Sequence, residues 1–225
     1  MATTPSELFA ADLDRFLIDT DKAMDRLGAV YIAEGLDDDG LQAARHLVEG
    51  SGDSFDVWKH ISSFGSADLL GAIEARFIEH CRDDPITYED TEPFLDYLDE
   101  DASMVQLILT MGDLGWQAAK LRAANLYERP YIITDRRDKG TIIGSWQTAS
   151  GLYAPPVIGE TILRVMLGDD KASSFEGLPA NCPGYLLHRP TERRLASQEG
   201  SVPPRVKIVG GLLEIAEDLS LREAI

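Results

Sequence analysis

The chain opens on a short apolar run, Leu8-Phe9-Ala10-Ala11, that stops at Asp12 and Asp14. An apolar run closed by polar residues is the pattern of a buried strand, so residues 8–12 are predicted as a first strand with two acids at its carboxyl end. The period then changes. Segments 16–24, 41–48, 55–61 and 69–78 read as helical, and Leu69, Ile73 and Phe77 recur at four-residue steps on one helix face. Turn-rich stretches such as Asp37-Asp38-Asp39-Gly40 separate them, strand-like runs are almost absent, and residues 21–89 are predicted as a helical insertion.

From there the chain alternates. Residues 92–98 read as a helix with Phe94, Leu95 and Leu98 inward, and 104–110 as a strand followed by a helix over 113–124. That helix has Asp113 in its first turn and Lys120 and Arg122 late, as the helix dipole favours. Further strands are predicted at 131–134, 162–167, 185–187 and 206–209, a last helix at 212–219, and a long loop over 190–204. Strands alternating with helices imply an α/β fold, a Rossmann-like core with a mostly parallel sheet. The expected organisation is a core of residues 1–20 and 90–225 interrupted by an inserted helical cap, 21–89.

Composition narrows the function. With 39 acidic against 21 basic residues and a net charge of -18, the chain lacks the basic patches that nucleic-acid phosphates require. Two cysteines, Cys81 and Cys182, form neither a disulfide framework nor a zinc-ligand spacing. The first residues do not resemble a signal peptide, and no run of 18 apolar residues occurs. A cytoplasmic protein with no membrane or nucleic-acid partner is the expectation; oligomeric state is left open.

The polar groups at strand ends form a series: Asp12-Leu13-Asp14, Thr110 in LILTMGD, Lys139 in TDRRDKG, and Asp169-Asp170 in VMLGDDKASSFEGLP. In open α/β sheets the carboxyl ends of strands are where ligands bind. In this order the series resembles the four motifs of the haloacid dehalogenase (HAD) superfamily, specifically its phosphatase-like hydrolases. Leu17, Asp19 and Thr20 also fall where that family often has them, and the 21–89 insertion lies where it places a helical cap.

The resemblance implies a mechanism. Asp12 would attack phosphorus and form an aspartyl-phosphate, and Asp14 would protonate the leaving oxygen and then activate water. Mg²⁺ would be held by Asp12, the backbone carbonyl of Asp14, and Asp169 or Asp170, relieving the repulsion among carboxylates and phosphate. Lys139 would offset negative charge and Thr110 would hold a phosphoryl oxygen. The expected substrate is a small phosphorylated metabolite.

Two positions depart from the family pattern. Phe16 stands where a Thr hydroxyl usually orients the first loop, so a water or backbone group must take over that bond or activity falls. Arg15 stands where Gly is common. Two rivals follow: a dehalogenase of the same fold, against which Asp14 argues, and a catalytically weak binding or regulatory protein, suggested by Phe16.

Blander readings stand beside these. Asp-x-Asp is common on acidic surfaces, and a rival register makes Phe16-Leu17-Ile18 the strand with Asp19 and Asp21 as the acids. Thr110 could simply end a strand, Lys139 could start a surface helix, and Asp169-Asp170 could be an N-cap with an acidic first turn. Trp116 and Trp146 read as packing residues, Arg136 and Arg137 as a solvated loop, and the four histidines show no ligand spacing.

Overall fold

The computed structural model describes residues 6–50, 55–189 and 202–223. Six strands form one sheet in the order β3-β2-β1-β4-β5-β6. They are β1 (Glu7–Ala11), β2 (Met104–Met111), β3 (Tyr131–Thr134), β4 (Arg164–Asp169), β5 (Gly184–Leu187) and β6 (Val206–Val209). Every pairing is parallel. The α/β Rossmann-like expectation therefore holds.

Parallel pairs need crossovers, which cover both faces of the sheet with helices. The central strand accordingly is apolar on both sides: Phe9 and Ala11 join one apolar cluster, Leu8 and Ala10 the other. That is the two-residue period of a strand with no solvent face. Ala11 pairs with Ile108 of β2 and with Gly168 of β4. The order reverses about β1, so the residues just past Ala11, Ile108 and Gly168 sit at the switch point where such sheets bind ligands.

Between β1 and β2 the chain forms α1 (Thr20–Ala33), α2 (Asp38–Gly50), α3 (Val57–Ser62), α4 (Ala67–Asp83) and α5 (Thr91–Glu100). Ile73 and Phe77 of α4 are buried as their spacing predicts, with Leu69 half-buried at the edge of the same face. The two passages between sheet and helices run side by side: Asp19 N donates to Ile86 O (2.8 Å) and Tyr88 N to Leu17 O (3.3 Å). After β2 come α6 (Leu114–Ala123), α7 (Lys139–Ser145) and, at the end, α8 (Leu212–Glu223). Trp116 of α6 packs against Trp58 of α3 and Phe77 of α4, with ring centroids 5.3 and 5.0 Å apart.

Some boundaries differ from expectation. The helix predicted over 16–24 starts only at Thr20, where Asp19 caps it by accepting from Lys22 N (2.9 Å). The rival register fails, because residues 16–18 are a turn beyond β1: Leu17 N and Ile18 N both donate to Leu13 O at 3.0 Å. A short 3-10 helix, Ala172–Phe175, follows β4, but Lys171 and not Asp169 or Asp170 precedes it as its N-cap. Of the loop expected over 190–204, residues 190–201 lie outside the described residues. Among the described residues no helix is long and apolar enough to cross a membrane.

Candidate active site

The loop after β1 is built by an uncommon backbone conformation. Arg15 has φ 58, the left-handed region that costs an L-residue about 1–2 kcal/mol, which is why Gly suits the position. The turn is held by Arg15 N, which donates to Ile18 O (2.9 Å) and to the Thr20 hydroxyl (3.1 Å). The guanidinium of Arg15 grips both Asp21 oxygens at 2.8 Å, and Arg45 of α2 shares that carboxylate.

The hydroxyl that Phe16 cannot supply is present after all, on Thr20. It accepts from Arg15 N and donates to Asp14 Oδ1 (2.9 Å), so a side-chain hydroxyl joins the backbone bonds that orient this loop. Phe16 has another role. Its ring is fully buried over Gly168, where a Cβ would lie 2.9 Å from Phe16 Cε2 and 3.0 Å from Phe9 Cε1. The ring occupies space that any side chain at position 168 would need.

Asp12, Thr110, Lys139, Asp169 and Asp170 are all buried. Lys139 Nζ bridges Asp12 Oδ1 and Asp169 Oδ2 at 2.6 Å each. Its helix can come this close because the next residue is glycine. A Cβ on Gly140 would lie 2.5 Å from both Glu176 O and Leu178 N. Burial works against the Lys139 ammonium, but the attraction of Asp12 and Asp169 outweighs it and holds the group charged. Asp12 is pushed up to about 6, first by burial and then by repulsion from Asp169, with Lys139 offsetting part of the rise.

Asp14 is held by a separate set of partners. Lys120 Nζ lies 2.5 Å from its Oδ1 and 2.6 Å from its Oδ2, and Gln117 Nε2 donates to Oδ2 (2.9 Å). Burial raises the Asp14 carboxyl, but the Lys120 charge and these hydrogen bonds outweigh it and hold it well below the usual carboxylate range. Lys120 does lie in the last turn of α6, as its place in the sequence predicts, but its side chain is 2 % exposed and turned into the site. Gln117 and Lys120 were both missed. The available signal was a Gln and a Lys three residues apart, hence on one face, in a helix bracketed by apolar positions.

Thr110 lies on β2, which pairs with the first strand, and its hydroxyl is buried with no hydrogen-bond partner. Such an orphan leaves a donor free for a water or a ligand atom. Lys171 reaches toward Asp170, Nζ to Oδ1 4.0 Å, and is 30 % exposed at the rim. Arg136 and Arg137 are exposed, and Trp116 and Trp146 are buried, as the blander readings held.

The charges test whether a divalent cation fits. Four carboxylates (Asp12, Asp14, Asp169, Asp170) meet three ammonium groups (Lys120, Lys139, Lys171). Asp12, Asp169 and Asp170 can each offer an oxygen within 4.8 Å of the others. A dianionic phosphate added there would deepen the negative excess, whereas a hard divalent cation with oxygen ligands would cancel the charge that the phosphate brings. The donor set suits such an ion.

No protein-family model and no curated protein matches this sequence. Solved structures do match. One is a haloacid dehalogenase-like hydrolase from Burkholderia xenovorans LB400, at TM-score 0.66 and 16% identity over 95% of this chain and 99% of that one. The chain has the HAD-like fold. YfnB of Bacillus subtilis, described as a HAD hydrolase and bound to magnesium, matches at TM-score 0.57 and 12% identity over 96% and 99% of the two chains. CbbY from Rhodobacter sphaeroides, in complex with phosphate, matches at TM-score 0.53 and 12% identity over 94% and 96%. At these identities the likeness carries the HAD-like fold; function must be argued from the site.

Proposed function

We propose that this protein is a Mg²⁺-dependent hydrolase of small phosphate monoesters, working through an aspartyl-phosphate on Asp12, with residues 21–89 as its cap. The observation that carries this reading is Asp12 at the end of the central strand, bridged by Lys139 to Asp169. It is a carboxylate beside a fixed positive charge, as a phosphoryl-accepting nucleophile requires.

Asp12 attacks phosphorus, and the bond from phosphorus to the ester oxygen breaks. Lys139 offsets charge on nucleophile and phosphoryl group, and the Thr110 hydroxyl donates to a phosphoryl oxygen. When bound, Mg²⁺ at Asp12, Asp169, Asp170 and the Asp14 backbone carbonyl supplies further neutralisation of negative charge. Asp14 is ionised in the arrangement described, the state needed to take a proton from water in the second half of the reaction, while its Lys120 partner lowers its basicity. An ester whose leaving oxygen departs as a stable anion makes the smallest demand on that carboxylate.

The same feature favours a second reading, halide displacement from a haloacid by Asp12, because a halide leaves without a proton. The Thr20 hydroxyl on this loop supports the hydrolase reading over the weak-binder one that Phe16 suggested. The test is a panel of phosphomonoesters with Mg²⁺, alongside haloacids assayed for halide release. Phosphate release that disappears with chelator and with Asp12→Asn is expected. Halide release without phosphate release decides for the second reading, and full activity in Asp12→Asn overturns the nucleophile.

A further inference from the structure

The phosphatase reading leaves Lys120 without a part, although it is among the most deeply buried charges in the described residues. Several features fix its place. Asp113 caps α6 directly after β2, accepting from Trp116 N (2.7 Å). Trp116 is wedged between Trp58 and Phe77, and Gly115 lies so close to Trp58 that a Cβ there would collide with the indole. The helix therefore cannot slide, and the Lys120 ammonium, 5.4 Å from the Trp116 ring centroid, is delivered to one spot. That spot is beneath Asp14. With Thr20 and Gln117, Lys120 engages both carboxylate oxygens, so two side-chain torsions on an otherwise loop-borne acid are fixed.

We propose that Lys120 is a positioning residue for hydrolysis of the aspartyl-phosphate, holding the Asp14 carboxylate in the orientation from which it takes a proton from the attacking water. The step balances. One water proton passes to Asp14, the resulting hydroxide forms a bond to phosphorus, and the bond from phosphorus to Asp12 breaks with its electron pair returning to that carboxylate. Inorganic phosphate leaves. In this role Lys120 handles neither the phosphoryl group nor the water, and acts only through the Asp14 carboxylate that it holds. A lysine that merely neutralised a buried acid would instead affect stability and every step alike.

This inference rests on the phosphatase reading, and the experiment separates the two. Wild type and Lys120→Met are mixed with para-nitrophenyl phosphate and Mg²⁺, and acid-quenched samples are weighed by intact-mass spectrometry. The expected result is a phosphoenzyme formed by Lys120→Met at the wild-type rate but decaying about 100-fold more slowly, the low end of what a positioned acid or base contributes. Unchanged decay, or formation and decay slowed together, overturns the role of Lys120 while leaving the phosphatase reading intact. A wild type that releases no nitrophenolate overturns that reading and this inference with it. Should Lys120→Met not fold, Asp14→Asn/Lys120→Met, which leaves no unpaired carboxylate, is compared with Asp14→Asn. Equal decay rates support action through Asp14, and a further slowing in the double variant overturns it.

Discussion

Placing at position 16 the Thr that the HAD resemblance leads one to expect there should harm this protein. Phe16 is fully buried and its ring covers Gly168, the residue just before the Asp169-Asp170 pair. Removing a buried phenyl side chain costs about 3–5 kcal/mol when the surroundings relax only partly. Threonine returns a methyl group but adds a buried hydroxyl whose natural partners are engaged by Thr20, so Phe16→Thr should lose about 3–5 kcal/mol. Out of a typical total of roughly 5–15 kcal/mol, that is a large share. Gly168→Ala in the wild type forces a Cβ against the Phe16 and Phe9 rings and should cost about 1–3 kcal/mol. In the Phe16→Thr background the same methyl enters space that the ring has vacated. The double variant should therefore be more stable than additivity allows, by about 0.5–3 kcal/mol. Urea unfolding of the four proteins, followed by far-UV circular dichroism, reads all of these values. A Phe16→Thr variant with wild-type stability and higher turnover would refute the reasoning, for it would mean that the loop lacks a hydroxyl after all.

Other consequences follow from the same geometry. Gly140→Ala sets a Cβ against two backbone atoms at 2.5 Å and should destabilise by about 1–3 kcal/mol. It should also shift Lys139 and lower turnover per folded molecule, read by activity normalised to a melting curve; unchanged turnover would contradict the packing argument. Mg²⁺ at about 100 times its dissociation constant should stabilise by about 2.7 kcal/mol. For a chain of this size that is roughly 5–10 °C in melting temperature by calorimetry. Asp170→Asn should reduce the shift, and a melting temperature indifferent to Mg²⁺ would contradict the carboxylate site. Asp12, raised by burial from 3.8 to about 6, disfavours its own ionisation in the fold. Its contribution to stability without a cation is thus fully present below pH 3.8 and lost as pH rises through about 6. The nucleophile must be ionised, so kcat/KM should rise through about pH 6 and its acid limb move lower as Mg²⁺ is raised. A limb that ignores Mg²⁺ would contradict this.

What could be read along the chain and what could not divide on physical lines. Apolar runs ending in polar residues marked β1, β2 and β4, because a strand buried on both faces tolerates little else, and the half-buried edge strand β3 was marked by a shorter run. The four-residue steps in α4 marked a buried helix face, and Ile73 and Phe77 occupy it. Lys139 was legible from its place after the predicted strand at 131–134 in the motif series; the structure adds Gly140, through which α7 meets the backbone at Glu176 and Leu178. Lys120 was not legible as a site residue. Its partner is 106 positions away, and locally a late lysine on a helix is explained well enough by the dipole. The role of Thr20 was hidden in the same way: only the left-handed turn at Arg15 folds its hydroxyl back onto the loop and Asp14. Phe16 was read for the bond it cannot make, whereas its effect lies in the volume it fills over Gly168.

The account stands most directly on Asp12. Protein quenched in acid during turnover of an aryl phosphate with Mg²⁺, then digested and mapped by mass spectrometry, should carry a phosphoryl group on the peptide containing Asp12. The Asp12→Asn variant should carry none and release no phosphate. Turnover that persists in Asp12→Asn, or a phosphoryl group mapped to a different residue, would contradict it.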